Sequence, residues 1–86
     1  YTIDGKKEKE IVNKFGLKYP EGIAVDDKGY IYITDEGNNR IVKIDNSGEF
    51  VFELGGFSMP KDIVYETGRI YVSNYAADNI KIYKVR

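Results

Sequence analysis

Short apolar runs alternate with polar clusters along the whole chain of 86 residues. The clusters carry turn chemistry: Asp4-Gly5, Tyr19-Pro20-Glu21-Gly22, Asp26-Asp27-Lys28-Gly29, Gly37-Asn38-Asn39, Asp45-Asn46-Ser47-Gly48, Gly55-Gly56, Met59-Pro60, Thr67-Gly68 and Ala77-Asp78-Asn79. The runs between them are too short for helices and rich in Ile, Val, Phe and Tyr. The pattern predicts strands over 11–15, 23–25, 30–34, 41–44, 50–54, 63–65, 69–73 and 80–85, and no helix. Within these strands both parities are apolar: Tyr30 and Tyr32 alternate with Ile31 and Ile33, and Val42 and Ile44 stand beside Ile41. A sheet with one wet face would show polar residues on one parity, so both faces of this one call for cover.

The chain also repeats itself. With Pro20 set against Pro60, PEGIAVDDKGYIYITD aligns with PKDIVYETGRIYVSN once one residue is dropped from the second turn, and NRIVKI aligns with DNIKIY. Upstream, IDGKKEKEIVNKFG parallels IDNSGEFVFELGG. A period of about 40 residues holding four short strands is the signature of a β-propeller blade.

The stretch YPEGIAVDDKGYIYITDEGNNRIVKID resembles the NHL repeat, through its Pro-x-Gly-Ile-Ala-Val-Asp, Gly-x-Ile-Tyr-x-x-Asp and Asn-Asn-Arg-Ile segments. The second copy, GRIYVSNYAADNIKIYKV, resembles the YVTN type of propeller repeat, with Asn74 in place of Asp35 and Asn79 in place of Arg40. The resemblance implies an all-β unit of two four-stranded antiparallel blades. Blade one spans 20–54, with strand 23–25 innermost and 50–54 outermost; blade two spans 60–86 and lacks its outer strand. An outer strand at 9–15 is left without a blade of its own. Supplied to another copy, it would complete the second blade through Ile11, Val12, Phe15, Ile80 and Ile82, head to tail, and three chains would close a six-bladed ring. The competing reading is an excerpt of a longer array: Tyr1–Asp4 parallels the end of a strand, Ile3 matching Ile44 and Tyr83, and a parent chain would then supply the missing blades covalently. Such a parent would include the case of an enzyme whose catalytic residues sit in other blades.

Charge and chemistry narrow the function classes. Thirteen basic and fourteen acidic residues leave a net charge of −1, so a nucleic-acid partner is not expected, and no apolar run approaches the ~20 residues of a membrane helix. The YVTN-like copy leans the expected location toward the outside or surface of a cell. The chain has no Cys and no His, which removes disulfides, thiolate chemistry, the commonest general base and the commonest transition-metal ligand. No catalytic constellation, metal site or cofactor is expected. Asp35, Asn38, Asn39 and Arg40 read as a structural turn latch, with Arg40 bonding Asp35 or the neighbouring blade. Asp26-Asp27-Lys28-Gly29 lacks the alternating oxygen ligands of a calcium loop and reads as a hairpin turn. Lys6–Glu10 reads as a solvated mixed-charge run. Tyr30, Tyr32, Tyr65, Tyr71 and Tyr83 read as packing between blades. The axial rim, with Tyr19, Glu21, Met59, Lys61 and Tyr75, is the expected place for a protein ligand. The function expected is that of a non-enzymatic scaffold or interaction module whose partners are other copies or further blades.

Overall fold

The computed structural model describes Gly5, Glu10, Ile11 and residues 15–85. Among the described residues seven strands follow one another: β1 (Pro20–Val25), β2 (Ile31–Asp35), β3 (Arg40–Ile44), β4 (Phe50–Leu54), β5 (Pro60–Glu66), β6 (Arg69–Asn74) and β7 (Asn79–Lys84). They form two antiparallel meanders, a four-stranded sheet in the order β1-β2-β3-β4 and a three-stranded sheet in the order β5-β6-β7. The all-β architecture and the missing fourth strand of the second sheet agree with the sequence pattern. Of the expected outer strand at 11–15, Ile11 and Phe15 are not in a strand, and Val12 lies outside the described residues, as do Tyr1–Asp4 and Lys6–Lys9.

The first strand of each sheet starts three residues earlier than the apolar run suggests. Pro20 pairs with Asp35 and Pro60 with Asn74, followed in both cases by a register shift before Ile23 and Ile63. Proline is tolerated there because the first residue of an edge strand needs no ladder N–H. The residue before each proline, Tyr19 or Met59, has a φ of 56° or 53°, a left-handed conformation uncommon for side chains of this size. The β2–β3 and β6–β7 connections are single 3-10 turns, Glu36–Asn38 and Tyr75–Ala77. Their cause is register: Asp35 pairs with Arg40 and Asn74 with Asn79, leaving four residues to reverse the chain. Each turn ends on a left-handed residue, Asn39 or Asp78, types that tolerate this conformation.

The sheets pack face to face. Ala24, Tyr32 and Ile41 of the first meet Ile63, Ile70 and Val72 of the second, with Phe57 of the connecting segment wedged between them. Phe57 is buried and its ring lies 5.9 Å from that of Tyr83. Where β1 meets β5 the backbones come so close that a Cβ on Gly22 would stand 2.6 Å from the Lys61 carbonyl oxygen. Thr34 seals this seam: its hydroxyl accepts the Gly22 N–H at 2.7 Å and donates to the Lys61 carbonyl at 2.8 Å.

The outward faces differ. On the first sheet Val42 and Ile44 are fully buried, and Ile11 and Leu17 share a groove of about 420 Å³ with Ile23, Ile31, Ile33 and Ile44. The ring of Phe15 lies 5.8 Å from that of Phe50. Residues preceding β1 thus cover part of that face, although Ile23 and Val25 remain exposed. On the second sheet Val64, Ile80 and Ile82 are 58 %, 67 % and 56 % exposed.

Candidate interaction surface

The Asp35 carboxylate is fully buried at the end of β2, and each of its partners is a donor. Oδ1 accepts the Lys18 N–H at 2.7 Å; Oδ2 accepts Asn38 Nδ2 at 2.8 Å and Arg40 Nε at 2.6 Å. Arg40 spreads its remaining nitrogens to the Phe15 carbonyl at 2.6 Å and to Glu53 at 3.1 Å. Asn38 Nδ2 also reaches the Gly16 carbonyl, and Gly37 N–H bonds the Lys18 carbonyl. The cluster therefore grips the backbone of 15–18, the segment that leads into β1. Burial alone would weaken the charge on Arg40, but the bonds and charges of Asp35 and Glu53 together outweigh it and hold the guanidinium pKa above its ordinary value.

The second copy repeats this with neutral groups. Asn74 Oδ1 accepts the Ser58 N–H at 2.6 Å, Asn74 Nδ2 bonds Asn79 Oδ1 at 3.0 Å, and Ala76 N–H bonds the Ser58 carbonyl. Lys18 and Ser58 are one repeat apart, so each latch holds the segment that enters its own sheet.

Asp26 is satisfied in the same manner. Oδ1 accepts N–H groups of Lys28 and Tyr30, and Oδ2 accepts the Tyr32 hydroxyl at 2.8 Å. Burial disfavours its charge, yet these bonds prevail and lower its pKa below the usual carboxylate value. The Tyr32 phenol is held well above its ordinary pKa by burial and by that same carboxylate. Asp27 accepts the Tyr65 hydroxyl across the sheets at 3.1 Å. Among the described residues no group of three or more Asp, Glu, His or Cys is placed to hold a metal ion. Lys43 lies almost buried between the sheets with its ammonium 4.4, 5.3 and 5.5 Å from the ring centres of Tyr30, Tyr32 and Phe52, a cation–π arrangement.

The expected rim residues divide into two groups. Met59, Lys61 and Tyr75 come together where β5 meets the second 3-10 turn. The Lys61 ammonium sits 5.2 Å from the Tyr75 ring centre and 2.7 Å from Glu36, and the bond to Glu36 raises its pKa. Tyr75 N–H bonds the Met59 carbonyl, while Met59 N–H bonds Asn39 Oδ1 at 2.9 Å. Tyr19 and Glu21 occupy the corresponding place on the first sheet; Tyr19 is 67 % exposed. Ile80 and Ile82 lie on the open face of β7.

Thr34 and the glycine–aspartate difference between positions 22 and 62 were not singled out in the sequence, and Asn74 was marked only as the counterpart of Asp35. The repeat held the signal: Thr34-Asp35 aligns with Ser73-Asn74, and Gly22 with Asp62. Residues 17–44, reaching from the latched segment through β3, match the family model of the NHL repeat. No curated protein matches the chain.

Proposed function

We propose that this chain is a non-enzymatic, propeller-type interaction module that works by blade-to-blade contact, joining further blades head to tail. Other copies of the chain are the most economical source of those blades, and three copies would close a six-bladed ring. The NHL match over 17–44 supports the module class. The observation that carries the reading is the open face of the second sheet. Val64, Ile80 and Ile82, three large apolar side chains more than half exposed, occupy the repeat positions of Ala24, Ile41 and Lys43, which the first sheet buries against its neighbour. An apolar face of this kind marks a surface used for association.

Completion of the second blade fits the same scheme. Beside β7 a cleft of about 290 Å³ is walled by Phe52, Leu54, Tyr83 and Val85. An added outer strand, such as 11–15 of another copy, would lay its inward side chains there. A non-enzymatic role is supported by where the chemistry is used: among the described residues the two buried carboxylates, Asp26 and Asp35, have their oxygens engaged by turn and latch donors. The rim of Met59, Lys61 and Tyr75 offers a protein ligand one cation and one exposed aromatic ring.

Multi-angle light scattering tests the proposal. A folded particle of three times the 9.8 kDa of one chain is the expected result. A folded monomer at every concentration would overturn assembly from copies, and would direct the open faces to blades joined covalently in a longer polypeptide.

A further inference from the structure

Resting on the head-to-tail reading, the geometry points to a specific contact between copies and to the residue that limits it. We infer that the open face of the second sheet, with Val64, Tyr71, Ser73, Ile80 and Ile82, receives the outward face of the first sheet of a second copy, and that Asp62 keeps this contact weaker than the one within the chain.

The occupant follows from the interface the chain already makes. Alternation along a strand assigns side chains to faces. The first sheet presents Ala24, Tyr32, Thr34 and Ile41 to the second; one repeat on, these are Val64, Tyr71, Ser73 and Ile80. The second sheet presents Ile63, Ile70 and Val72 to the first; one repeat back, these are Ile23, Ile31 and Ile33, which line the groove on the outward face. Each outward face, the open one and the partly covered one, is therefore the repeat equivalent of one side of an interface formed within the molecule. Such a pair is complementary head to tail, and a second copy carries both halves.

Four contacts at the inner strands can be moved one repeat along. Within the chain Thr34 donates to the Lys61 carbonyl and Asn39 accepts the Met59 N–H. Between copies Ser73 meets the carbonyl of Glu21, and Asp78 meets the N–H of Tyr19. A hydroxyl and an oxygen acceptor are kept, so these two contacts survive.

The other two do not. The Glu36–Lys61 ion pair becomes Tyr75 opposite Glu21, which has no opposite charge to offer. The close approach at Gly22, where a Cβ would lie 2.6 Å from the facing carbonyl, becomes Asp62 against the backbone of Glu21. That separation is shorter than real Cβ contacts allow, so the inner strands of two copies stand further apart than β1 and β5 do. Asp62 also brings a carboxylate toward that of Glu21. Association between copies is thus reversible and concentration dependent, with Asp62 setting its strength.

The test compares the native chain with Asp62→Gly and Asp78→Gly by sedimentation over a concentration series, with circular dichroism and dilute-solution unfolding as folding controls. Asp62 is exposed, and glycine at position 78 keeps the left-handed conformation found there. Asp62→Gly is expected to tighten association roughly tenfold, toward the lower end of what relief of an overpacked contact yields, and Asp78→Gly to weaken it. If the native chain associates while Asp62→Gly leaves its affinity unchanged or weaker, the inferred contact is wrong and assembly proceeds through another surface. A monomeric native chain whose Asp62→Gly variant associates supports the contact and overturns assembly of the native chain. Monomers in every case overturn both.

Discussion

Asp26 and Tyr32 show how one bond can fix two ionisation states. The carboxylate is kept charged by three donors, one of them the Tyr32 hydroxyl, and the phenol is kept protonated by the same carboxylate. Because the folded-state pKa of Asp26 lies below its unfolded value, its contribution is fully present above the ordinary carboxylate range. It fades as pH falls through that range and into the lowered folded value. Tyr32→Phe removes one donor to a charged acceptor and is expected to cost about 1.5–3 kcal/mol near neutral pH. Urea titrations at neutral pH and in acid check this: the penalty shrinks as pH falls through the ordinary carboxylate range toward the lowered folded-state value, because a carboxyl that takes up a proton no longer needs the bond. An equal penalty in both conditions would mean that packing of the ring dominates.

Gly22 and Thr34 carry the seam between the sheets in a different way, through space and hydrogen bonding with no charge involved. Gly22→Ala pushes a methyl to within 2.6 Å of the Lys61 oxygen and is expected to destabilise by about 1–3 kcal/mol, the usual cost of overpacking. Thermal unfolding by circular dichroism measures it. Loss of less than about 0.5 kcal/mol would show that β5 yields freely there.

The elements repeat more closely than their residues do. Both latches bind the segment entering their own sheet, one with Asp35 and Arg40, the other with Asn74 and Asn79. An ionic and a neutral solution thus serve the same backbone geometry, and neither half can be exchanged alone. Asp35→Asn leaves Arg40 without its buried counter-charge, and Arg40→Asn leaves the fully buried Asp35 short of a donor, so each single change costs stability. The double variant copies the second latch and is expected to lose less than the sum of the singles by about 0.5–3 kcal/mol. Chemical denaturation of all three supplies the cycle, and strict additivity would show that the two side chains act independently.

At this scale the sequence was informative because turn residues and apolar runs alternate so regularly. All seven strands and the four-plus-three division were legible. The strand starts at Pro20 and Pro60 were not, because they depend on left-handed residues at Tyr19 and Met59, which propensity disfavours. The 3-10 turns were hidden by register, a property of pairs of strands. The latch residues were legible as a group through Asp35 and Arg40, whereas their target, the backbone of 15–18, lies some 17 residues away along the chain from Asp35 and leaves no local trace. Thr34 looked like any strand threonine until the facing carbonyl of Lys61 was known.

For the whole molecule the consequence is an asymmetry between its two outward faces, one partly covered by the residues before β1 and one open. In the proposed contact the open face serves association, and it contributes little to the fold of a single copy, since its side chains are already in water. Ile80→Lys separates these roles. Isoleucine 80 is 67 % exposed, so in dilute solution its replacement is expected to change unfolding stability by no more than about 0.5 kcal/mol, as at other exposed positions. Association stabilises by mass action, so the native chain's melting temperature should rise with concentration. In Ile80→Lys that rise should vanish, because a charge is placed in the middle of the contact, where neither Ile23 nor Ile33 can pair with it. Differential scanning calorimetry across a wide concentration range reads both effects in one experiment. A variant that keeps the native concentration dependence would remove the open face of β7 from the interface, whatever its apolar character.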